Sequence, residues 1–393
     1  MNDQPLSWLG NLTPSEFLRD YWQKKPLLVR NAFPDIAGLI EPDELAGLSM
    51  EEGVEARLVL EKGKTPWELR FGPFDEKTFK TLPKSHWTLL VQAVDHYLPD
   101  LGDYLDHFRF IPNWRVDDIM ISYAPFGGSV GPHYDQYDVF LIQGQGQRRW
   151  QLGQNCDENT QRVQGTKLRI IENMQPHFDE VLNPGDLLYV PPALAHYGVA
   201  QNDCITYSVG FRAPALAHVL ERVVDHALEQ TGSRKLYADP ALALQANPGE
   251  LDEASLESLR QQVLSLLQDP ARFREAVAPF LSEAKYDDYE PEATELESDE
   301  LVEVLESGAL LRRDPASRFV YLGESSKADL LFINGNDVHL PASAAVLGAL
   351  LADKRSHSFD ELKDALNDED AVTWLTEQVR EGYWFLEYPN DDV

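Results

Sequence analysis

The sequence predicts an α+β protein in which a double-sheet barrel or jelly roll is followed by helices and then by a small mixed domain. Three observations support this fold class. Residues 110–212 contain many short apolar runs separated by glycine and proline turns, with little helical periodicity. Residues 213–285 keep a helical spacing of apolar side chains, and residues 307–393 mix strand and helix patterns.

The first thirty residues predict a short helix followed by a strand. Thr13 and Glu16 have the spacing of a capping box, in which each side chain accepts a hydrogen bond from the backbone of the other residue. Pro26 is expected to stop this helix, because proline cannot continue the backbone hydrogen-bond ladder. The apolar run at residues 27–30 then reads as a strand.

The strands of the predicted barrel are five short runs at residues 119–123, 139–143, 148–152, 187–190 and 205–211. Gly144 and Gly146 mark a turn after the second run. The third run is therefore expected to return as its hairpin partner. Residues 168–171 are also expected to be extended.

A short polar motif in this block is a candidate metal site. His133 and Asp135 are two residues apart on an extended segment, so their side chains can point to the same face. His196 follows an apolar run and two prolines, which places it on a distant strand. Two imidazoles and one carboxylate form the facial triad of non-haem iron(II) oxygenases, which leaves positions open for dioxygen and a keto acid. We therefore expect these three residues to bind Fe(II).

A keto acid such as 2-oxoglutarate also needs a cation for its distal carboxylate. Arg148 and Arg149 lie on the predicted returning strand, and arginine matches a carboxylate with two parallel hydrogen bonds. Neighbouring side chains of a strand alternate in direction, so only one of the two points inward, and the residues alone do not decide which. Ser122 and Ser208, on other predicted strands, are candidates to assist that arginine.

Composition limits the partners and the compartment. The formal net charge of −32 argues against nucleic acid or anionic membranes as the main ligand and favours a cationic partner. The two cysteines, Cys156 and Cys204, cannot form a disulfide framework in a chain of this length. The start of the chain has neither the basic nor the apolar region of a signal peptide, and no run is long enough for a membrane span. We expect a cytoplasmic protein without membrane contact.

The block at residues 119–211 resembles a Jumonji-C oxygenase domain. Its metal triad matches His133, Asp135 and His196. In that family a cation thirteen residues after the aspartate binds the keto acid, so the resemblance implies Arg148 rather than Arg149. It also implies a double-stranded β-helix of the cupin or jelly-roll type, with Fe(II), 2-oxoglutarate and dioxygen as the reactive groups.

The resemblance extends over nearly the whole chain. Residues 21–30 (YWQKKPLLVR) and 110–114 (FIPNW) are similar to segments of the ribosomal oxygenases. That family implies an N-terminal segment and a Jumonji-C barrel over residues 1–212, a helical dimerisation region over 213–285 and an acidic linker with a winged-helix-like domain over 286–393. Its acidic bacterial members hydroxylate an arginine β-carbon on the sixteenth protein of the large ribosomal subunit. The resemblance therefore implies a homodimeric hydroxylase with a basic ribosomal protein as substrate.

Two other classes of function stay open on the residues alone. A different cupin metalloenzyme needs no buried cation, so Arg148 discriminates against it. A non-enzymatic regulatory protein is suggested by the winged-helix-like end, but residues 307–393 carry sixteen acidic and eight basic residues, and residues 283–306 carry a net charge of −10. We therefore expect this end to hold a basic protein rather than nucleic acid. Candidates to contact a substrate arginine are Asp117, Asp118, Tyr137 and Asp138.

Overall fold

The computed structural model of the chain describes residues 3–61, 67–231, 236–286, 289–324 and 327–388. The chain forms two compact units, Met1–Ala213 and Pro214–Val393. Asp287 and Asp288, two carboxylates of the predicted acidic segment, lie outside the described residues. The finer division at residue 285, between a helical region and an end domain, stays a prediction.

The first unit is built mainly from strands. Its α-helices are α1 (Pro14–Asp20), α2 (Pro42–Leu48), α3 (Glu76–Lys80) and α4 (Pro99–Asp103). Its strands are β1 (Leu27–Val29), β2 (Ala56–Leu60), β3 (Glu68–Phe71), β4 (Trp87–Val91), β5 (Val116–Ala124), β6 (Asp138–Gln145), β7 (Arg148–Asn155), β8 (Phe178–Leu182), β9 (Leu187–Val190), β10 (Leu194–Ala200) and β11 (Cys204–Phe211).

These strands form two antiparallel sheets. The larger sheet has eight strands in the order β1-β9-β6-β11-β5-β4-β2-β3, and the smaller has three in the order β10-β7-β8. Because neighbours in the sheet are often distant in sequence, the chain winds back and forth between the sheets rather than forming simple hairpins. The predicted two-sheet jelly roll is therefore confirmed.

Both faces of the central strand β6 are buried, which explains its uninterrupted apolar run. Val139 and Leu141 pack between the two sheets, in a cluster that includes Trp150 of the smaller sheet. Phe140 and Ile142 point to the opposite face, where they join the main core beneath the N-terminal helices. The large sheet is thus held on one side by helices and on the other by the small sheet.

The strands β5 and β11 have one apolar and one polar face. The apolar face of β11, which includes Val209 and Phe211, belongs to the main core. The alternate residues Thr206 and Ser208 are buried polar residues, as is Ser122 of β5. Since alternate residues point to opposite faces, these hydroxyls line the interior of the barrel.

The predicted hairpin between residues 139–143 and 148–152 is wrong. Strand β6 pairs with β9 and β11, so both of its edges are occupied, and β7 pairs instead with β10 and β8. Gly146, with φ 60°, carries the chain from one sheet to the other. A Cβ at this position would lie 2.0 Å from the carbonyl oxygen of Asp203, so the crossing needs glycine.

Two smaller expectations also need correction. The capping box of Thr13 and Glu16 is present, but α1 ends at Asp20, well before Pro26. Gln23, three residues after the end of the helix, takes a left-handed backbone conformation with φ 57°. Residues 168–171 do not form a strand and contribute only one isolated bridge, between Arg162 and Ile171.

The N-terminal motif at residues 21–30 anchors the chain start to the barrel. Trp22 stacks on Tyr189 of β9 with ring centroids 5.9 Å apart. The Gln23 side chain donates to Asp138 at 2.9 Å, and the Arg30 guanidinium donates to Asp186 at 2.7 Å. These contacts hold the motif against β6 and β9, so its role in this structure is to stabilise the barrel.

The second unit combines helices with two small sheets. Its helices are α5 (Leu216–Thr231), α6 (Glu253–Leu267), α7 (Pro270–Ser282), α8 (Ser298–Glu306), α9 (Ala345–Asp353), α10 (Phe359–Leu362) and α11 (Glu369–Arg380). Its strands are β12 (Leu310–Arg313), β13 (Phe319–Glu324), β14 (Lys327–Ile333), β15 (Asn336–Val338), β16 (Ser356–His357) and β17 (Trp384–Glu387).

The end of this unit has its own apolar core, which includes Leu301, Leu347 and Trp374 of three different helices. Strands β14 and β15 form a hairpin whose turn residues, Asn334 and Gly335, both have positive φ. Within the described ranges, none of the helices has the length and apolar character needed to cross a membrane.

Candidate active site

The three predicted metal ligands converge at one point of the barrel. The Oδ2 atom of Asp135 lies 3.8 Å from Nε2 of His133 and 3.5 Å from Nε2 of His196. All three potential ligand atoms lie within 4.8 Å of one another. This spacing allows one ion to contact all three atoms, since metal–ligand bonds of this type are about 2 Å long.

Backbone pairing between distant segments creates this arrangement. His133 and Asp135 are not in a regular strand, but His133 forms an isolated antiparallel bridge with His196 of β10. The two backbone hydrogen bonds of this bridge are 3.0 and 2.8 Å long. The bridge places the two imidazoles side by side, with ring centroids 4.2 Å apart.

Each imidazole is oriented by a backbone carbonyl. Nδ1 of His133 lies 2.8 Å from the carbonyl oxygen of Gly131, and Nδ1 of His196 lies 2.9 Å from that of Leu194. A carbonyl can only accept, so each Nδ1 carries the proton and donates it. The Nε2 lone pairs then point towards Asp135, which is the tautomer that a metal-binding imidazole needs.

The electrostatics of the cluster also suit a metal. Burial and the neighbouring His196 lower the pKa of His133 to about 4. Burial raises the pKa of the Asp135 carboxyl, but the neighbouring His196 and His133 side chains outweigh burial and lower it to about 2. At neutral pH, His133 is therefore neutral and Asp135 ionised, as coordination requires.

Arg148 points into the barrel, whereas Arg149 points out. The side chain of Arg148 is buried, with 4% of its surface exposed, and its NH1 group donates to the Ser122 hydroxyl at 3.4 Å. Its Nε and NH2 groups find no hydrogen-bond partner in the part of the chain that the structure describes. Arg149 instead donates to Asp179 on the surface at 2.6 Å. A buried guanidinium with unpaired donors is costly and fits an anionic ligand.

The two predicted serines differ in their relation to this arginine. Ser122 contacts Arg148, and its cross-strand neighbour on β11 is Thr206. Ser208 lies two residues further along β11, opposite Met120, and is buried. Ser208 therefore lines the same interior face.

Trp150 and Gly198 were missed by the sequence reasoning. The Trp150 ring lies between the two groups of the site, 6.1 Å from the His196 ring and 5.9 Å from the Arg148 guanidinium carbon. Its buried indole nitrogen has no hydrogen-bond partner among the described residues. A Cβ on Gly198 would lie 2.8 Å from this ring, so glycine makes room for it. The available signal was the two-residue spacing between Arg148 and Trp150, which puts both on one face of β7.

The candidate substrate contacts fall into different environments. Asp138 is fully buried and accepts hydrogen bonds from Tyr189 and Gln23, which gives it a structural role. Asp118 is also buried, and one of its oxygens accepts from the Gln92 side chain and the Ala93 backbone, both at 2.8 Å. Tyr137 is 43% exposed, so it is accessible to a large substrate.

Comparison with known proteins assigns a family to a segment of each unit of the chain. Residues 103–219 match the JmjC domain family, and residues 265–385 match the ROXA-like winged helix. The chain is 38% identical to a probable ribosomal oxygenase of Haemophilus influenzae, over 93% of this chain and 88% of that protein. It is 35% identical to the ribosomal protein uL16 3-hydroxylase of Escherichia coli, over 95% and 97% of the two chains.

The chain belongs to the ribosomal oxygenase family. A crystal structure of Escherichia coli YcfD has a TM-score of 0.84 with it at 34% identity, covering 95% of this chain and 98% of that one. A second structure, of the ribosomal oxygenase YcfD with cobalt and 2-oxoglutarate, has a TM-score of 0.82 with the same coverage. The expected JmjC barrel and C-terminal winged helix of a ribosomal oxygenase are thus confirmed.

The residues of this site fit the groups that a JmjC oxygenase uses. The His-Asp-His cluster offers two imidazole nitrogens and a carboxylate on one side, which is the donor set for iron(II). The unpaired donors of Arg148 fit one end of a dicarboxylate such as 2-oxoglutarate. Trp150 lies between these positions, so the cluster, the ring and the guanidinium form one continuous interior surface.

Replacing Gly198 by alanine should push the Trp150 ring out of place. The new methyl group would overlap the ring, so we expect the variant to lose about 1–3 kcal/mol of stability. Thermal unfolding followed by circular dichroism measures this loss. Gly47→Ala is the matched control, because nothing lies within 4 Å of a Cβ there. Equal unfolding temperatures for Gly198→Ala and the natural protein would contradict the packing described here.

Proposed function

We propose that this protein is an Fe(II)- and 2-oxoglutarate-dependent dioxygenase that hydroxylates the β-carbon of an arginine in the ribosomal protein uL16. The observation that carries the proposal is the buried Arg148, whose unpaired donors lie on the same interior surface as the His-Asp-His cluster. A cupin metalloenzyme that uses no keto acid has no need of such a cation. When bound, iron and keto acid supply the activation of dioxygen and the oxidation of the substrate.

The chain's own residues hold and orient these groups. His133, Asp135 and His196 are the proposed iron ligands, with the two imidazoles fixed by backbone carbonyls. Arg148 is the proposed partner of the distal carboxylate of 2-oxoglutarate, and Ser122 orients its guanidinium. Ser208 lines the same interior. The apolar cluster between the sheets excludes water, which strengthens every charged contact inside the barrel.

The arginine substrate is supported by charge and by kinship. The Escherichia coli relative acts on uL16 as a 3-hydroxylase, and the net charge of −32 favours a basic protein. A cytoplasmic location follows from such a substrate.

Hydroxylation of uL16 is the direct test of the proposal. A peptide or whole uL16 should gain one oxygen atom on an arginine when incubated with the protein, iron(II) and 2-oxoglutarate. Mass spectrometry with fragmentation locates the oxygen. Asp135→Ala should reduce turnover to background because it removes a proposed ligand, whereas Asp179→Ala, a surface change in the same unit, should retain it. Full turnover by Asp135→Ala would refute the metal role.

The two adjacent arginines provide a matched pair for the cosubstrate site. Arg148→Ala should raise the KM for 2-oxoglutarate at least about 30-fold, because a buried charged contact is worth 2–5 kcal/mol. Arg149→Ala should change it by less than about twofold, since its pair with Asp179 is on the surface. Steady-state kinetics at varied 2-oxoglutarate measures both values. The opposite order would show that Arg149 is the anchor.

A homodimer through residues 213–285 is part of the proposal. Helix α5 exposes Leu216, Leu220 and Leu228, and α6 exposes Leu256 and Leu259. Several large apolar side chains on neighbouring exposed turns are unusual for a monomer. Light scattering should therefore give twice the chain mass of 44.5 kDa.

Substitution of α5 tests which surface is responsible. Leu220→Asp combined with Leu228→Asp should shift the protein towards the monomer, because buried carboxylates are costly at an apolar contact. Phe71→Asp, an exposed position of the first unit, is the control and should leave the mass unchanged. A mass of 44.5 kDa for the natural protein in light scattering at micromolar concentration would refute the dimer.

The winged helix is proposed to hold a basic protein rather than nucleic acid. Residues 307–393 have a net charge of −8, whereas a winged helix that binds DNA needs a basic face for the phosphates. The full-length protein should therefore leave labelled duplex DNA unshifted in an electrophoretic assay at physiological salt. A shift of the labelled duplex at micromolar protein concentration would contradict this assignment.

A further inference from the structure

Tyr134 lies between two of the proposed metal ligands but points away from them. Its side chain is buried in a small cluster with Cys156, Ile171 and Ala195. Ala195 directly precedes His196, so this cluster lies behind both ligand-bearing segments. The Tyr134 hydroxyl donates to the carbonyl oxygen of Asp157 at 2.7 Å.

Arg162 completes this contact from the opposite side. Its NH2 group donates to the Tyr134 hydroxyl at 2.8 Å, and its guanidinium carbon lies 5.5 Å from the centre of the Tyr134 ring. The hydroxyl therefore uses both its donor and its acceptor capacity. A hydrogen bond from a charged donor is stronger than one between neutral groups, and this one is partly buried.

Residues 161–172 form a small loop of paired backbone that carries Arg162. Val163 donates to the carbonyl of Ile170 at 2.9 Å, and Glu172 donates to that of Gln161 at 3.1 Å. The nitrogen of Ile171 then donates to the carbonyl of Pro132 at 2.7 Å, next to His133. We call residues 161–172 the bracing loop, because it is bonded to the segment that holds the first ligand.

The other ligand segment is tied to the same region. Ala193 donates to the carbonyl of Asp135 at 2.7 Å, and Cys156 donates to the carbonyl of Ala193 at 2.7 Å. Cys156 precedes Asp157, whose carbonyl accepts from Tyr134. The Tyr134 hydroxyl is thus the polar side-chain contact that joins the bracing loop, through Arg162, to both ligand-bearing segments, beside the apolar packing of Ile171.

We propose that Tyr134 and Arg162 are positioning residues that hold the three ligands in their metal-binding arrangement before the metal arrives. This inference rests on the proposed metal role of His133, Asp135 and His196. Without the hydroxyl, the bracing loop keeps its backbone bonds and the apolar contact of Ile171, but it loses its polar side-chain contact with Tyr134. Metal binding must then order that segment as well, which lowers affinity. Loss of a supporting contact of this kind typically weakens metal binding about 10–100-fold.

Titration with cobalt(II), followed by its visible absorption, measures metal affinity without turnover. Tyr134→Phe keeps the ring and removes the hydroxyl, and Arg162→Met removes the charged donor; each should weaken cobalt(II) binding at least about tenfold. Arg162→Lys keeps a charged donor and should restore part of the affinity. The double variant should bind no more weakly than the weaker single variant, because Arg162→Met breaks a hydrogen bond that Tyr134→Phe already removes.

Tyr189→Phe is the matched control. It also removes a buried tyrosine hydroxyl that donates to an oxygen, at 2.6 Å to Asp138, but Tyr189 lies outside the ligand segments. Its cobalt(II) affinity should stay within about twofold of the natural protein, even if its unfolding temperature falls. A purely structural role of Tyr134 would lower the unfolding temperature of the metal-free protein without changing cobalt(II) affinity, and that result would overturn the proposal.

The same titration separates this inference from the proposed function. If Asp135→Ala binds cobalt(II) as tightly as the natural protein, the metal site itself is wrongly assigned. If Asp135→Ala abolishes binding while Tyr134→Phe and Arg162→Met bind like the natural protein, the site is right and the positioning role is refuted.

Discussion

The pairing of β7 with β10 is the constraint on which the whole candidate site depends. Three cross-strand pairs line the interior: Leu152 with His196, Trp150 with Gly198, and Arg148 with Ala200. The groups of the site are therefore arranged in order along these two strands. The His-Asp-His cluster lies at the first pair, the Trp150 ring at the second and the Arg148 guanidinium at the third. A slip of one residue would turn all of β7 over and bring Arg149 inside. In the observed register Arg149 instead pairs with Asp179 on the outer face.

The buried Arg148 lowers the stability of the fold, but its unpaired donors are suited to bind an anion. A guanidinium removed from water without a full set of acceptors costs several kcal/mol, and Arg148 has two unpaired nitrogen groups among the described residues. The apolar cluster between the sheets and the main core offset this cost. An anion that satisfies Arg148 would therefore stabilise the fold as it binds, by the usual linkage between binding and unfolding.

The parts of the fold with strong periodicity were predictable from sequence. The apolar runs that became β5, β6, β9 and β11 were located correctly, and the spacing of His133 and Asp135 identified the residues that converge with His196. Sequence reasoning failed where pairing partners are distant. The turn at Gly146 has the composition of a hairpin, but tertiary competition for the edges of β6 sends the next strand to the other sheet. Which of Arg148 and Arg149 points inward depends on the register of the strand. Two adjacent arginines have the same chemistry, so their sequence does not reveal that register.

The anchoring of the N-terminal motif has a consequence for how the chain is made. Strand β1 pairs with β9, so Leu28 meets Leu188 only after nearly half of the chain has left the ribosome. At about 5–20 residues per second, the intervening residues take roughly ten to thirty seconds to synthesise. During that interval the apolar side chains of β1 and α1 have no sheet to cover them. Strand β1 is thus made well before the strand that pairs with it, so the first unit cannot complete its large sheet until β9 has been made.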